Sequence, residues 1–256
     1  MLYCLKLAVT AAVTVLAALT IILFGAFDPH GKHVYFVTRF WSWMLLAMGR
    51  INVKVRGLAR LDANRQYLFM ANHQSNIDIP VLIKCLPAFQ LRWIAKRELL
   101  WVPFFGWAMW AGKHITVDRA DGAGARKSLL KASQRIANGI SVVVFPEGTR
   151  SSDGRLLPFK RGGFLLAAQA RVPIVPVTIR GSGKILSKGD WRARPGDVEV
   201  HIGNPIMTTG HRPGSLRDLA TEVQRIVEQN LALDGVTARE SDNASRKAES
   251  GKRPVD

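Results

Sequence analysis

A histidine and an aspartate separated by four residues follow the apolar run 68–70; they are His73 and Asp78. An imidazole takes up a proton near neutral pH, so His73 could act as a general base. Residues five positions apart point about 140° away from each other on a regular helix, and the pair can therefore meet only across a turn. Ser75 and Asn76, both preferred helix N-cap residues, are predicted to supply that turn.

If the two side chains meet, the Asp78 carboxylate accepts a hydrogen bond from the imidazole and primes His73 to deprotonate an alcohol. The alternative is that His73 is an ordinary residue of a capped turn. The sequence contains no G-x-S-x-G nucleophile elbow, no H-E-x-x-H motif and no complete phosphate loop. The two cysteines, Cys4 and Cys85, have neither metal-ligand spacing nor a disulfide framework. Covalent catalysis therefore has no obvious nucleophile.

A second polar cluster comes at the end of the apolar run 142–145. Pro146 stops the strand, and Gly148 permits a tight backbone path close to a ligand. Arg150 has the forked donors that suit a phosphate. Glu147 could orient a bound polyol or hold a neighbouring arginine. The alternative for this cluster is a solvated loop with an internal ion pair.

Further cations stand beside apolar residues in the middle of the chain. Arg119 ends the stretch 112–119, and Lys96 precedes the aromatic and apolar stretch 101–107. Cations beside an apolar surface fit an amphipathic ligand with an anionic head. A solvated pair between Asp118 and Arg119 is the alternative.

Short apolar runs that alternate with helical patterns must position these residues. Such alternation, with strands as continuously apolar as 142–145, predicts an α/β fold with a mainly parallel sheet covered by helices. Pro173 and Pro176 predict that their strand is an edge strand or an irregular one. The predicted strands are 51–55, 67–71, 92–95, 114–117, 141–145, 174–179 and 198–202, and the predicted helices are 79–86, part of 96–110, 126–138, 161–170 and 216–231.

The N-terminal region has a different pattern. Residues 7–27 carry no formal charge and are long enough for a helix of about 30 Å, one hydrocarbon thickness. A membrane helix, spanning or re-entrant, is the favoured interpretation, and a cleaved signal peptide and a buried soluble helix are the alternatives. After a turn at 28–31, an apolar stripe over 34–48 predicts a second, amphipathic helix. We therefore predict a two-helix membrane anchor over 1–50, a domain over 51–234 and a disordered polar tail over 235–256.

The charge of the chain limits its partners. Lysine and arginine number 36 against 19 acidic residues, so the net charge is +17 and an anionic partner is expected, either nucleic acid or an anionic membrane. No RNA-binding signature is present. Six of the seven tryptophans fall between positions 41 and 110. This clustering favours a location of these side chains at the lipid headgroup level of a membrane. Core packing is the alternative for each of them.

Four blocks taken together resemble the glycerolipid acyltransferase family, specifically the bacterial 1-acyl-glycerol-3-phosphate (lysophosphatidic acid) acyltransferases. His73 and Asp78 look like the HX4D pair of its first motif, and stretch 112–119 looks like the second. Stretch 145–150 is similar to the third motif and 172–176 to the fourth. The order and spacing agree, and the resemblance covers roughly residues 50–205.

The resemblance implies direct transfer of an acyl group from acyl-CoA or acyl-carrier protein to the sn-2 hydroxyl of the lysolipid. His73 would be the general base and Asp78 its orienting partner, with no metal and no organic cofactor. The resemblance further implies that the phosphate is bound by Arg150, Arg119 and Lys96. It implies that the acceptor site is lined by Glu147, Gly148 and Thr149.

The resemblance also implies partners and a location. The partners would be lysophosphatidic acid, the acyl donor and anionic membrane lipid, without nucleic acid, at the bacterial inner membrane with the catalytic domain facing the cytoplasm. Two alternatives remain open: an acyltransferase for another lysolipid, such as a lyso-ornithine lipid, and a non-enzymatic basic protein that binds membranes or RNA.

Overall fold

The structure is a computed structural model that describes residues 2–25, 27–28, 31–117, 122–137, 139–209 and 215–232. Two sequence predictions lie outside these residues: the position of Arg119 and the polar tail 235–256.

The predicted N-terminal helix pair is present, as α1 (Leu2–Gly25) and α2 (Lys32–Met48). Asp28 joins them by capping α2, since its carboxylate accepts the backbone N–H groups of Lys32 at 3.1 Å and Val34 at 3.0 Å. Burial tends to raise the pKa of Asp28, but these backbone hydrogen bonds outweigh it and hold the pKa below its ordinary value. The carboxylate therefore stabilises the turn in its ionised form.

Helix α1 is apolar, and it lies against the rest of the protein along one side only. Within the described residues it is the one helix long and apolar enough to cross a membrane, with a mean hydropathy of 2.6 over a window that is only 6% buried. Its contact stripe includes Thr14, Ala18 and Gly25 at helical spacing, where Thr14 accepts a hydrogen bond from Trp41 of α2. The opposite side exposes Leu16 and Leu23.

Seven strands form one sheet in the order β1-β7-β6-β2-β5-β3-β4. Strands β2 to β6 run parallel to one another, whereas β7 runs antiparallel to β6 and parallel to β1. The sequence predicted all seven strands and the mainly parallel sheet, but the antiparallel pair was not predicted. The strands are β1 (Ile51–Arg56), β2 (Leu68–Ala71), β3 (Leu91–Lys96), β4 (Ile115–Val117), β5 (Ser141–Val144), β6 (Ile174–Arg180) and β7 (Gly196–Ile202).

Helices cover both faces of this sheet, as the continuous burial of the residues of β2, β5 and β6 requires. Phe69 and Ala71 of β2 point to the face that α2 and α3 cover, and Leu68 and Met70 point to the face covered by α5, α6 and α8. The remaining helices are α3 (Asp78–Cys85), α4 (Phe105–Ala111), α5 (Gly122–Ala137), α6 (Gly162–Ala170), α7 (Ser182–Ile185) and α8 (216–232), with short 3₁₀ turns at Leu58–Arg60 and Arg97–Trp101.

Of the two alternatives predicted for the strand with two prolines, an edge strand or an irregular one, the edge position does not occur. Strand β6 is internal, between β7 and β2. Pro176 is tolerated there because its carbonyl oxygen accepts a hydrogen bond from Gly203 on the β7 side, so its missing N–H faces the same side. Pairing on that side is interrupted between the Ile174–Ile206 bridge and the ladder that begins at Val177. The irregular pairing that the sequence predicted is confirmed.

Candidate active site

The candidate residues meet at the carboxyl edge of the parallel strands, where α/β sheets usually bind ligands. His73 follows the end of β2, Phe145 to Arg150 follow the end of β5, and Lys96 ends β3. Asn72 fixes the chain just before His73, because its side-chain amide donates to the Ile179 carbonyl at 2.8 Å and accepts from the Ile179 N–H at 2.7 Å. These two bonds continue the β2–β6 pairing beyond the strand and hold the start of the loop.

His73 and Asp78 form the hydrogen-bonded pair that the sequence predicted, with 2.8 Å between Nδ1 and Oδ2. The same Oδ2 atom accepts the backbone N–H groups of Gln74 at 2.8 Å and Ser75 at 2.9 Å, and the Asp78 side chain is fully buried. Because an ionised carboxylate can only accept, Nδ1 carries the imidazole proton. The Nε2 lone pair is therefore available as a base.

The turn between these two residues is built differently from the prediction. Helix α3 begins at Asp78 with Ile77 as its N-cap, so neither Ser75 nor Asn76 is the capping residue. Ser75 still shapes the turn, because its hydroxyl accepts the Ile77 N–H at 3.2 Å and its carbonyl accepts the Asp78 N–H at 3.2 Å. The Asp78 carboxylate in turn accepts the backbone N–H groups of Gln74 and Ser75 and so holds the loop before the helix.

Glu147 links the loop that contains His73 to the loop that follows β5. Its Oε1 accepts the backbone N–H of His73 at 2.6 Å, and its Oε2 accepts that of Leu157 at 2.9 Å. Burial raises the pKa of Glu147, and its side chain does not reach the described cavity lining. The resemblance implied a contact between Glu147 and the acceptor, yet in this structure both of its oxygens are used to position the backbone.

An aromatic wall holds the imidazole ring. The ring of His73 stacks on Phe145 with 3.8 Å between centroids and 10° between planes, and Trp93 stacks on the other side of Phe145 at 5.9 Å. Phe145 belongs to the motif stretch 145–150, but sequence reasoning assigned it no contact with His73 and assigned no role in the site to Trp93. The only available signal was a bulky aromatic residue at or near the end of a predicted strand.

An apolar cavity of about 430 Å³ opens beside His73. Its walls come from α1, α2, α3, β3 and α4, so the N-terminal helices contribute directly to it. Such a volume is in the range of a small-molecule site. The apolar lining includes Ala17, Ala18, Ile21, Ile79, Ile83, Ala108 and Met109.

Cationic and polar groups stand at the His73 end of this cavity. Arg150, Thr149, Gly148 and Lys96 all line it. Among the described residues, no carboxylate forms an ion pair with Arg150, whereas Asp153 lies 3.8 Å from Arg155 next along the loop. Gly148 has φ +75°, a left-handed conformation that favours glycine, and this conformation turns the loop towards the cavity.

His114 also lines the cavity, although sequence reasoning assigned no role to it. Its Nδ1 accepts the backbone N–H of Trp93 at 3.2 Å, which links β4 to β3. Burial lowers the pKa of His114 to about 3, with the nearby Arg92 and Arg135 adding to the effect, so this imidazole is neutral at physiological pH. In the described part of the chain, no three His, Cys, Asp or Glu side chains are grouped so that they could hold a metal ion.

A family model described as acyltransferase matches residues 52–180, half of the chain, and this range contains His73, Asp78 and Arg150. The chain belongs to the acyltransferase family. The glycerolipid acyltransferase resemblance drawn from the motifs is thereby confirmed at the level of the family.

Named relatives of this acyltransferase agree with one another. The 1-acyl-sn-glycerol-3-phosphate acyltransferase alpha of Ovis aries is 36% identical over 189 residues, which are 72% of this chain and 66% of that protein. The 1-acyl-sn-glycerol-3-phosphate acyltransferase of Pseudomonas aeruginosa is 33% identical over 195 residues, 76% of this chain and 74% of that one. The acyltransferase thus spans just under two thirds of the sheep protein and about three quarters of the bacterial one.

A solved structure matches more of the chain. The crystal structure of the 1-acyl-sn-glycerophosphate (LPA) acyltransferase PlsC from Thermotoga maritima superposes with a TM-score of 0.73 at 30% identity, covering 89% of this acyltransferase and 94% of that chain. The part of this chain that the superposition covers is longer than the family match, so it includes residues outside 52–180. The α/β fold predicted from the sequence is therefore the fold of this family.

Proposed function

We propose that the protein transfers a fatty acyl group from acyl-CoA or acyl-carrier protein to the sn-2 hydroxyl of 1-acyl-glycerol-3-phosphate, forming phosphatidic acid. The observation that carries the proposal is the 2.8 Å contact between His73 and Asp78 at the end of an apolar cavity that Arg150 also lines. An acceptor site for a lysolipid phosphate requires three features: a base, a cation that binds the anion and an apolar space. The names of the relatives support this substrate.

In the proposed reaction His73 is the general base. Its Nε2 takes the proton of the acceptor hydroxyl as the hydroxyl oxygen attacks the thioester carbonyl, and the tetrahedral adduct then expels the thiolate. The thiolate receives the proton from the imidazolium, which returns His73 to its starting state. Asp78 fixes the tautomer and stabilises the imidazolium through the Nδ1–H bond. No acyl-enzyme forms on this route.

The cations hold the acceptor during this step. Arg150 binds the phosphate through its forked donors, and Lys96 adds a second positive charge at the cavity. Gly148 and Thr149 line the acceptor between the phosphate and the base. Arg119 remains a proposed phosphate contact from the motif alone, since it lies outside the described residues.

The acceptor would reach the cavity from a membrane surface that residues 1–50 contact. Helix α1 follows the domain from end to end: the Arg192 guanidinium lies 5.4 Å from the Tyr3 ring near one end, and Gly25 packs on Ala111 at the other. A helix held along the domain in this way is placed to lie in the interface, with the face that includes Leu16 and Leu23 in lipid. We place the protein at the bacterial inner membrane with its active site on the cytoplasmic side, where soluble acyl donors are available.

The test is a transfer assay with the purified full chain in mixed micelles, using lysolipids that differ in headgroup, each with acyl-CoA and with acyl-carrier protein. We expect transfer to 1-acyl-glycerol-3-phosphate, and His73→Ala to lower kcat by about 10²- to 10⁴-fold, the usual contribution of a general base. The half-buried His201 on β7 offers the matched control His201→Ala. Full activity of His73→Ala, or preference for an acceptor without phosphate, would contradict the proposal.

The phosphate contact has its own control. Arg150→Ala should raise the KM of the acceptor, whereas Arg155→Ala, at a side chain that is 89% exposed in the same loop, should not. Equal acceptor KM values for the two variants would remove Arg150 from the phosphate site.

A further inference from the structure

The segment 99–110 exposes an unusual density of apolar side chains. Trp101 is 83% exposed, Trp107 53% and Trp110 76%, three of the seven tryptophans of the chain. Single exposed apolar residues are ordinary, but a contiguous exposed patch marks an interaction surface. The other exposed apolar side chains of the segment are Leu99, Val102, Phe104 and Phe105.

The backbone of this segment is folded tightly, so the aromatic residues are presented in fixed positions. Gly106 packs so closely on the Leu100 backbone that there is no room for a Cβ atom at this position. Phe104 adopts φ +60°, and its ring packs edge-on against Trp107 at 5.5 Å. Helix α4 buries Met109 and exposes Trp107 and Trp110, which are three residues apart and lie on one side of the helix. The exposed side has no partner among the described residues that would bury it.

The neighbours of the segment indicate what covers it. Helix α4 packs against α1, whose outward side exposes further large apolar residues such as Leu23. Lys96 and Arg97 are exposed where the segment leaves β3. Tryptophans beside cations, continuous with an apolar helix, match the headgroup level of an anionic bilayer.

The cavity makes the same connection. Phe105 and Met109 from α4 and Ala17 and Ile21 from α1 all line it, so the segment and α1 both contribute to its wall. A lipid chain held in the cavity would therefore contact the same two helices whose outward sides carry the exposed apolar residues. A bilayer at this position brings the acceptor to the site without exposing its chain to water.

We propose that residues 99–110 form a second membrane-contacting surface, in which Trp101, Trp107 and Trp110 insert into the headgroup region of an anionic bilayer independently of α1 and α2. This inference rests on the proposed membrane location, and it assigns to the catalytic domain a lipid contact of its own.

The test is partition of the full chain onto phosphatidylcholine vesicles with and without phosphatidylglycerol. The variant Trp101→Ala/Trp107→Ala/Trp110→Ala should partition at least about tenfold more weakly onto the anionic vesicles, because it loses three interfacial side chains. Replacement of the same three residues by phenylalanine should keep most of the binding. Leu130→Ala, at an exposed apolar residue of α5, is the control and should bind as the wild type does.

Activity in mixed micelles separates this inference from the proposed function. None of the three tryptophans lines the described cavity, so the triple variant should keep micellar activity within about twofold of the wild type. Wild-type binding of the triple variant to the anionic vesicles would overturn the inference. If wild-type chain binds vesicles through these residues but transfers no acyl group in micelles, the proposed function fails and the membrane surface stands.

Discussion

Replacement of Asp78 by asparagine changes one negative charge and little else in shape. The outcome depends on which end of the new amide faces the imidazole. The backbone N–H groups of Gln74 and Ser75 both point at the Oδ2 position, so an oxygen there keeps two hydrogen bonds and a nitrogen there loses both. We therefore expect the Asp78→Asn variant to place its amide oxygen at that position, with Nδ1 of His73 still carrying its proton.

With the tautomer preserved, the loss of activity comes from the missing charge. A carboxylate and an imidazolium about 4 Å apart, at an effective dielectric constant of about 20, attract by about 4 kcal/mol, which is close to a thousandfold in rate. The polarised amide of asparagine still attracts the imidazolium and recovers part of this stabilisation. We therefore expect kcat to fall by about 10²- to 10³-fold. In the serine triad, where the same substitution inverts the tautomer, the loss is about 10⁴-fold.

The substitution should also cost stability. None of the described residues donates to or accepts from the buried Oδ1 of Asp78, so the amide nitrogen placed there would lack an acceptor. A buried donor without a partner costs about 1–3 kcal/mol. Thermal unfolding of Asp78→Asn should therefore occur at a lower temperature than that of the wild type.

Release of thiol from acyl-CoA in mixed micelles measures the rate. Asp197→Asn removes the same charge from an exposed carboxylate that lies outside the described cavity lining, and it should leave kcat unchanged. Activity of Asp78→Asn within about threefold of the wild type would refute the role of the carboxylate charge. A loss of about 10⁴-fold, as in the serine triad where the tautomer inverts, would refute the argued amide orientation.

Three other expectations follow from buried groups. Glu147→Gln turns one of two accepting oxygens into a donor that faces a backbone N–H, so the free energy of unfolding should fall by about 1–3 kcal/mol and kcat should fall more than the acceptor KM rises. Asp28→Asn should destabilise the chain by about 1 kcal/mol at neutral pH. The pKa of Asp28 is lowered in the folded state, so the stabilisation by its carboxylate is present above the unfolded pKa. Thermal unfolding should show that this stabilisation disappears as the pH falls below about 4. Burial raises the pKa of Cys85 to about 12, so a thiol reagent should label only Cys4 in the native chain and both cysteines in denaturant.

Each of these has a clear contrary result. A Glu147→Gln variant with unchanged stability and unchanged kcat would show that the tie between the two loops is unimportant. A pH-independent difference between Asp28→Asn and the wild type would mean that the carboxylate does not act through its charge. Two labelled thiols per native chain would contradict the burial of Cys85.

The order of polar residues along the chain was sufficient to find the centre of the site. His73 and Asp78 were predicted to meet across a turn, and they do, because a short apolar strand followed by polar and capping residues leaves the chain little choice but to turn there. Arg150 follows the end of another apolar run, and parallel strands bring their carboxyl ends together at one edge of the sheet.

The role of Glu147 could not be predicted in this way. A carboxylate between two loops serves a ligand or the backbone according to which N–H groups lie within about 3 Å of it. Here those donors come from positions 73 and 157, far apart in the sequence. The stacking of Phe145 on His73 has the same origin, because β2 and β5 are neighbours only in the folded sheet.

By itself the sequence determined the seven strands, the helical cover, the apolar N-terminal helix and the pair of residues at the centre of the candidate site, because hydrophobic period and turn residues are local properties of the chain. Only the tertiary structure decided that α1 lines the cavity, that β7 is antiparallel to β6 and that three tryptophans in and near α4 are exposed. Those features depend on which distant surfaces pack together. An apolar residue has the same local pattern whether it meets the protein core or a bilayer.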